Sequence, residues 1–112
     1  MKKPKDYKPF YTHGVDKSGR RFSMTTVIKE DNGKIIGSIG IATCCLKDNF
    51  NYKRGRMISE GRAIKTPLKT FTVDQTEEGF KLSRKLSFDF KNEISEKGAE
   101  LFFKRNQSEI NN

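Results

Sequence analysis

Asp31-Asn32-Gly33-Lys34 most limits what this chain can fold into. Asn-Gly tolerates the positive φ angles of a type I′ turn, the turn that closes tight β-hairpins. Before it, Arg21 to Lys29 holds Phe22, Thr25, Thr26, Val27 and Ile28, all good strand formers. After it, Ile35 to Cys44 reads as the returning strand. Gly37 and Gly40 inside that return predict a bulge or a close backbone approach. A hairpin therefore anchors the first half of the chain.

The second half has its own periodicities. A helix is predicted from about Asn51 to just before Pro67, because proline disfavours helical backbone at Thr66. Asp48, Asn49 and Asn51 are its candidate caps. Lys69 to Gln75 reads as a strand with Phe71 and Val73 on one face, and Thr76-Glu77-Glu78-Gly79 as a turn. From Phe80 to Lys91, Phe80, Leu82, Leu86, Phe88 and Phe90 alternate with polar residues, which is the period of a half-buried strand. A last helix is expected from Ser95 to about Asn106. The expected order is β-β-α-β-β-α, an α+β fold with an antiparallel sheet and two helices.

Residues 1–20 are polar and rich in Lys and Gly, and read as a flexible basic arm, with a short strand around Pro9-Phe10-Tyr11 as an option. Residues 21–106 form the single expected domain, and 107–112 a polar tail. Only 33% of residues are hydrophobic, so the core is small and a partner subunit is expected to complete it. A homo-oligomer, dimer or higher, follows as the expectation.

Net charge is +9, which attracts anions: nucleotides, nucleic acid or an acidic protein. A solvated basic surface kept for solubility is the plainer alternative. Cys44 and Cys45 are adjacent and badly placed for an ordinary disulfide, and no signal peptide or apolar span is evident. A reduced, cytoplasmic setting and no membrane contact are expected.

The segment from Cys44 to Ala63 runs from the second strand into a cationic helix carrying Gly-Arg twice, a natural place to hold an anion. At about 100° per residue, Phe50, Met57, Ile58, Gly61 and Ile64 share a sector of that helix. Arg54 falls inside the sector, Arg62 on its edge, and Arg56 points away. Arg84 interrupts the apolar row between Leu82 and Leu86. A buried guanidinium is costly, so each arginine must be paired, as Arg54 with Asp48 or Glu60, exposed at an edge, as Arg84 at a strand edge or bend, or facing an anionic ligand in a phosphate pocket. Phe88, Phe90, Phe102 and Phe103 read as core, though one of them is a candidate to stack on a base. Asn92 offers either a base-edge contact or the start of a turn. The candidate ligand-binding set is Arg54, Arg56, Arg62, Arg84, Phe90 and Asn92.

No catalytic constellation stands out. His13, the single histidine, falls in the basic arm, and the Cys pair has no companion ligand. Glu77-Glu78 reads as a solvated turn pair, and no phosphate-binding glycine motif occurs. No enzyme activity, metal ion or cofactor is expected.

Ile39 to Cys44, then Lys47-Asp48-x-Phe50, then Lys53-x-Gly55-Arg56-x-Ile58-x-x-Gly61-Arg62-Ala63 resembles the first family of Thoeris anti-defence proteins, small phage proteins. The resemblance covers about twenty-five residues in the middle of the chain. It implies a non-enzymatic sponge that sequesters cyclic ADP-ribose isomers in the host cytoplasm, with pockets at subunit interfaces. Some members also bind cyclic oligonucleotides at separate sites. Only the basic helix motif carries over by position, and it assigns no stacking aromatic; in the leading reading of the residues Arg54, Arg56 and Arg62 hold the pyrophosphate and an aromatic stacks on adenine. The alternative is a small basic phage protein that binds nucleic acid through the same helix.

Overall fold

Asn32 and Gly33 have φ angles of 50° and 76°, and they close the hairpin as the Asn-Gly pair predicts. A computed structural model describes residues 8–43 and 52–98. The hairpin strands are β2 (Arg21–Asp31) and β3 (Lys34–Thr43). β1 (Lys8–Val15) flanks β2, and β4 (Lys69–Asp74) flanks β3. The four form one antiparallel sheet in the order β1-β2-β3-β4. Helix α1 (Tyr52–Lys65) joins β3 to β4, and α2 (Glu77–Lys97) follows β4. The α+β class with two helices stands, but the order is β-β-β-α-β-α.

β2 is buried on both faces from Phe22 to Ile28, so something must cover each side. Neighbouring strand residues point oppositely. Thr25 meets Ser59 of α1, and Thr26 meets Ser87 of α2, so the helices lie on opposite sides of the sheet. On the α2 side, Phe22 and Met24 of β2 join Ile39 and Ile41 of β3 and Phe90 and Ile94 of α2 in the main apolar cluster. A smaller cluster of Ile28, Ile35 and Val73 continues it along the sheet. Fully burying a side chain of this size contributes roughly 1.5–3 kcal/mol, so this layer carries most of the hydrophobic drive.

The α1 side is built differently. Its buried helix positions are Gly55, Ser59 and Ala63, four residues apart. A Cβ at Gly40 would lie 2.4 Å from the backbone N of Ala63 and the backbone O of Ser59. The helix backbone therefore rests on Gly40, the close approach that a glycine within a strand predicts. Gly37 instead lies under the Phe71 ring.

Four expectations are corrected. Phe80–Lys91 is helix, not strand: Thr76 caps α2, accepting from the Gly79 N–H at 3.0 Å, and Glu77 and Glu78 suit the positive end of the dipole. The buried positions are Gly79, Ser83, Ser87, Phe90 and Ile94, a helical period carried largely by small residues. The supposed turn at Thr76–Gly79 is that cap, and Ser95 lies inside α2 instead of starting a new helix. Finally, part of the expected flexible arm is β1, which contains the optional strand around Pro9-Phe10-Tyr11 and pairs along its whole length with β2. The proposed caps Asp48, Asn49 and Asn51, the Cys44-Cys45 pair, and Phe102 and Phe103 lie outside the described residues.

Candidate functional site

Of the apolar sector of α1, Phe50 lies outside the described residues, Gly61 and Ile64 are half-buried, and Met57 and Ile58 face outward. Met57 is 68% exposed, Ile58 is also exposed, and a Cβ on Gly61 would meet nothing within 4 Å. Arg54 shares that sector and is exposed, which corrects its expected place on a buried face. The helix buries its small side because only small residues allow its backbone to reach Gly40. Arg62 sits on the edge as predicted, half-buried, and donates from Nη1 to the Ile41 carbonyl at 2.9 Å. Burial lowers its pKa from the usual arginine value. Arg56 points away from the sector, as predicted, and lies over the Tyr11 ring at 5.7 Å from its centroid.

The candidates on α2 separate into core and surface. Phe90 is buried in the main cluster, and the Lys69 amine lies 5.0 Å from its ring centroid. It is therefore not open to a base. Arg84 and Asn92 are exposed and eight residues apart. Phe88 stands midway between them on the same helical face and is 58% exposed. One face of α2 thus aligns a guanidinium, an aromatic ring and a carboxamide. The α1 arginines lie across the sheet from this row, so the six predicted residues do not form one site within a single copy.

Cation pairing distinguishes the row further. On α2, Lys81 meets Glu77, Lys85 meets Asp89 and Lys97 meets Glu93, each four residues away. Arg84 and Lys91 have no carboxylate partner among the described residues. The Lys91 amine lies 5.7 Å from the centroid of the Phe88 ring instead. Among the described residues of α2, these are the cations without an ion pair.

Sequence reasoning missed a second group, at the edge of the sheet. Tyr11 of β1 donates to Glu60 Oε1 of α1 at 2.5 Å, and this bond raises the phenol's pKa. His13 Nδ1 lies 2.9 Å from Ser23 Oγ. Burial first, then the charges of Arg56 and Lys91, lowers the His13 pKa. A His–Ser pair invites a catalytic reading, but Ser23 is fully buried and its hydroxyl cannot reach a substrate. The alternation of Phe10 and Thr12 with Tyr11 and His13 was the available signal, obscured by the surrounding Lys and Gly.

A shallow cleft of about 320 Å³ lies where β4 meets the start of α2, lined by Lys34, Thr72, Asp74, Thr76, Glu78 and Leu82. Lys34 is already bonded to Asp74 at 2.5 Å and Glu78 adds negative charge, so the cleft does not suit phosphate. Among the described residues, no group of three or more His, Cys, Asp or Glu is arranged to hold a metal ion. Among them also, no helix is long and apolar enough to cross a membrane. Comparison with protein-family models, curated proteins and solved structures gives no match.

Proposed function

We propose that this protein binds and sequesters a small phosphorylated nucleotide, without cleaving it, as a phage anti-defence sponge for a cyclic ADP-ribose signal. The observation that carries this reading is the row Arg84–Phe88–Asn92 on the exposed face of α2. Its three groups match the three parts of such a ligand. The Phe88 ring stacks on adenine, the Asn92 carboxamide meets the base edge, and Arg84 with Lys91 holds phosphate. The stacking role passes from Phe90 to Phe88, because only the latter has an open face.

A single helix is convex and cannot enclose a ligand. Enclosure is supplied by a second copy, in a dimer or higher assembly. The exposed apolar residues Met57, Ile58, Leu82 and Phe88 are consistent with that. In such an assembly Arg56 of one copy, exposed on α1, joins the α2 row of another.

Calorimetry with cyclic ADP-ribose isomers tests the reading. Wild type should bind one isomer, and Phe88→Ala should lose about tenfold or more in affinity, the loss of one stacked base. Its melting temperature should stay close to wild type, since Phe88 lies outside the core. No heat with any isomer, or unchanged affinity in Phe88→Ala, would overturn the assignment. Native mass spectrometry of protein purified from a host with active signalling enzymes reports assembly and retained ligand together.

A further inference from the structure

Two exposed aromatic residues, Phe88 and Tyr11, are connected around the β1 edge of the sheet. β1 is an edge strand, with α1 on one side and α2 on the other. On the α2 side, the Lys91 amine stands by the Phe88 ring, and the Lys91 side chain runs past Gly14 of β1, its Cε 3.2 Å from where a Cβ would stand. On the α1 side, the Arg56 guanidinium lies over the Tyr11 ring, which is 41% exposed. His13 lies between them on β1 and feels the charges of both Arg56 and Lys91. The order around the edge is aromatic, cation, imidazole, cation, aromatic.

We propose that this strip across β1, from Phe88 and Lys91 past His13 to Arg56 and Tyr11, binds single-stranded nucleic acid. Single-strand sites combine rings, on which bases stack without regard to sequence, with cations that track the phosphates. Both components are present: the Tyr11 and Phe88 rings and Arg56 are exposed, and Lys91 is half-buried. Neither Arg56 nor Lys91 has a carboxylate partner among the described residues. Glu60, a carboxylate beside the strip, accepts the Tyr11 hydroxyl and leaves the ring in place. The +9 charge of the chain draws in a polyanion, and the strip gives it a path. A duplex keeps its bases stacked and offers the rings nothing, so single strands are preferred. This inference goes beyond the nucleotide reading and does not rest on it.

Fluorescence anisotropy with labelled oligothymidine of about 12 nucleotides tests the strip, since single-strand sites of this kind span roughly 4–16 nucleotides. Wild type should bind it at low salt and bind a duplex of equal length more weakly. Tyr11→Ala should weaken binding by about tenfold, whereas Tyr11→Phe, which keeps the ring, should bind like wild type. Arg56→Ala should weaken binding and reduce the slope of log affinity against log salt by about one. Lys65→Gln removes the same charge away from the strip and should do neither. Circular dichroism checks that each variant is folded. Cyclic nucleotide binding should survive Tyr11→Ala, which separates the strip from the α2 row. No binding by wild type, equal binding of duplex, or equal losses in Arg56→Ala and Lys65→Gln would overturn the proposal.

Discussion

Thr25 and Thr26 are neighbours in β2, yet each is bonded to a different helix. Thr25 Oγ1 lies 2.6 Å from Ser59 Oγ of α1, and Thr26 Oγ1 donates to Ser87 Oγ of α2 at 3.0 Å. All four side chains are buried. Ser87 passes the chain on by donating to the Ser83 carbonyl. Two consecutive residues thus tie both helices to one strand through hydroxyls.

Removing one end of such a bond strands the other. Ser59→Ala leaves the Thr25 hydroxyl buried without this partner and should cost about 1–3 kcal/mol. Adding Thr25→Val removes the orphan and should recover part of the loss. Urea denaturation of the two singles and the double measures the coupling. Strict additivity would show that the bond contributes nothing.

Two glycines should respond oppositely to the same methyl group. Gly40→Ala drives a Cβ into the α1 backbone and should destabilise by about 1–3 kcal/mol or more, because backbone cannot rotate aside. Gly61→Ala places its methyl in open space on a helix and should stabilise by roughly 0.5–1 kcal/mol. Thermal melts of both variants check the pair.

Arg62 and Arg54, eight residues apart on α1, should separate as cleanly. Arg62→Ala removes a half-buried donor from the Ile41 carbonyl and should cost about 1.5–3 kcal/mol, the range for hydrogen bonds to charged groups. Arg54→Ala alters an exposed side chain and should stay within about 0.5 kcal/mol of wild type. Calorimetric melts at equal ionic strength make the comparison.

His13 gives the fold a pH dependence of definite sign. Its folded pKa is lowered by burial, then by Arg56 and Lys91, so the folded state holds the neutral ring and the unfolded chain takes up the proton first. Stability is therefore full above about pH 6.5, the unfolded value, and declines as pH falls from there to the lower folded pKa. His13→Gln should flatten this part of the stability–pH curve. Denaturation midpoints taken across that window would show it; an unchanged slope in the variant would assign the dependence elsewhere.

The sequence was most legible where local chemistry and tertiary packing agree. Asn32-Gly33 sets the hairpin, and Pro67 bounds α1. It misled at Phe80–Lys91, where alternating Phe and Leu suggested a strand while Ser83 and Ser87 carried the hidden helical period. Small polar residues leave no hydrophobic signal, although a close helix–sheet contact needs them. The same reason inverted α1: the apolar sector was read correctly, but Gly55, Ser59 and Ala63 won the buried side because only they fit over Gly40. For the candidate site, the helix puts Arg84 and Asn92 on one exposed face, a relation the strand reading hid, and Phe88, one of four aromatics offered for stacking, was passed over for Phe90, which is buried.

The unequal linings of the two sheet faces predict an order of opening. α2 is held by buried Phe and Ile side chains, and leaving the sheet exposes large apolar area to water. α1 is held through Gly55, Ser59 and Ala63, whose departure exposes little. Native-state amide exchange should then find α1 opening in a sub-global event while β2, β3 and α2 remain protected. The helix that carries the arginines would be the part of the fold best able to shift without unfolding the rest.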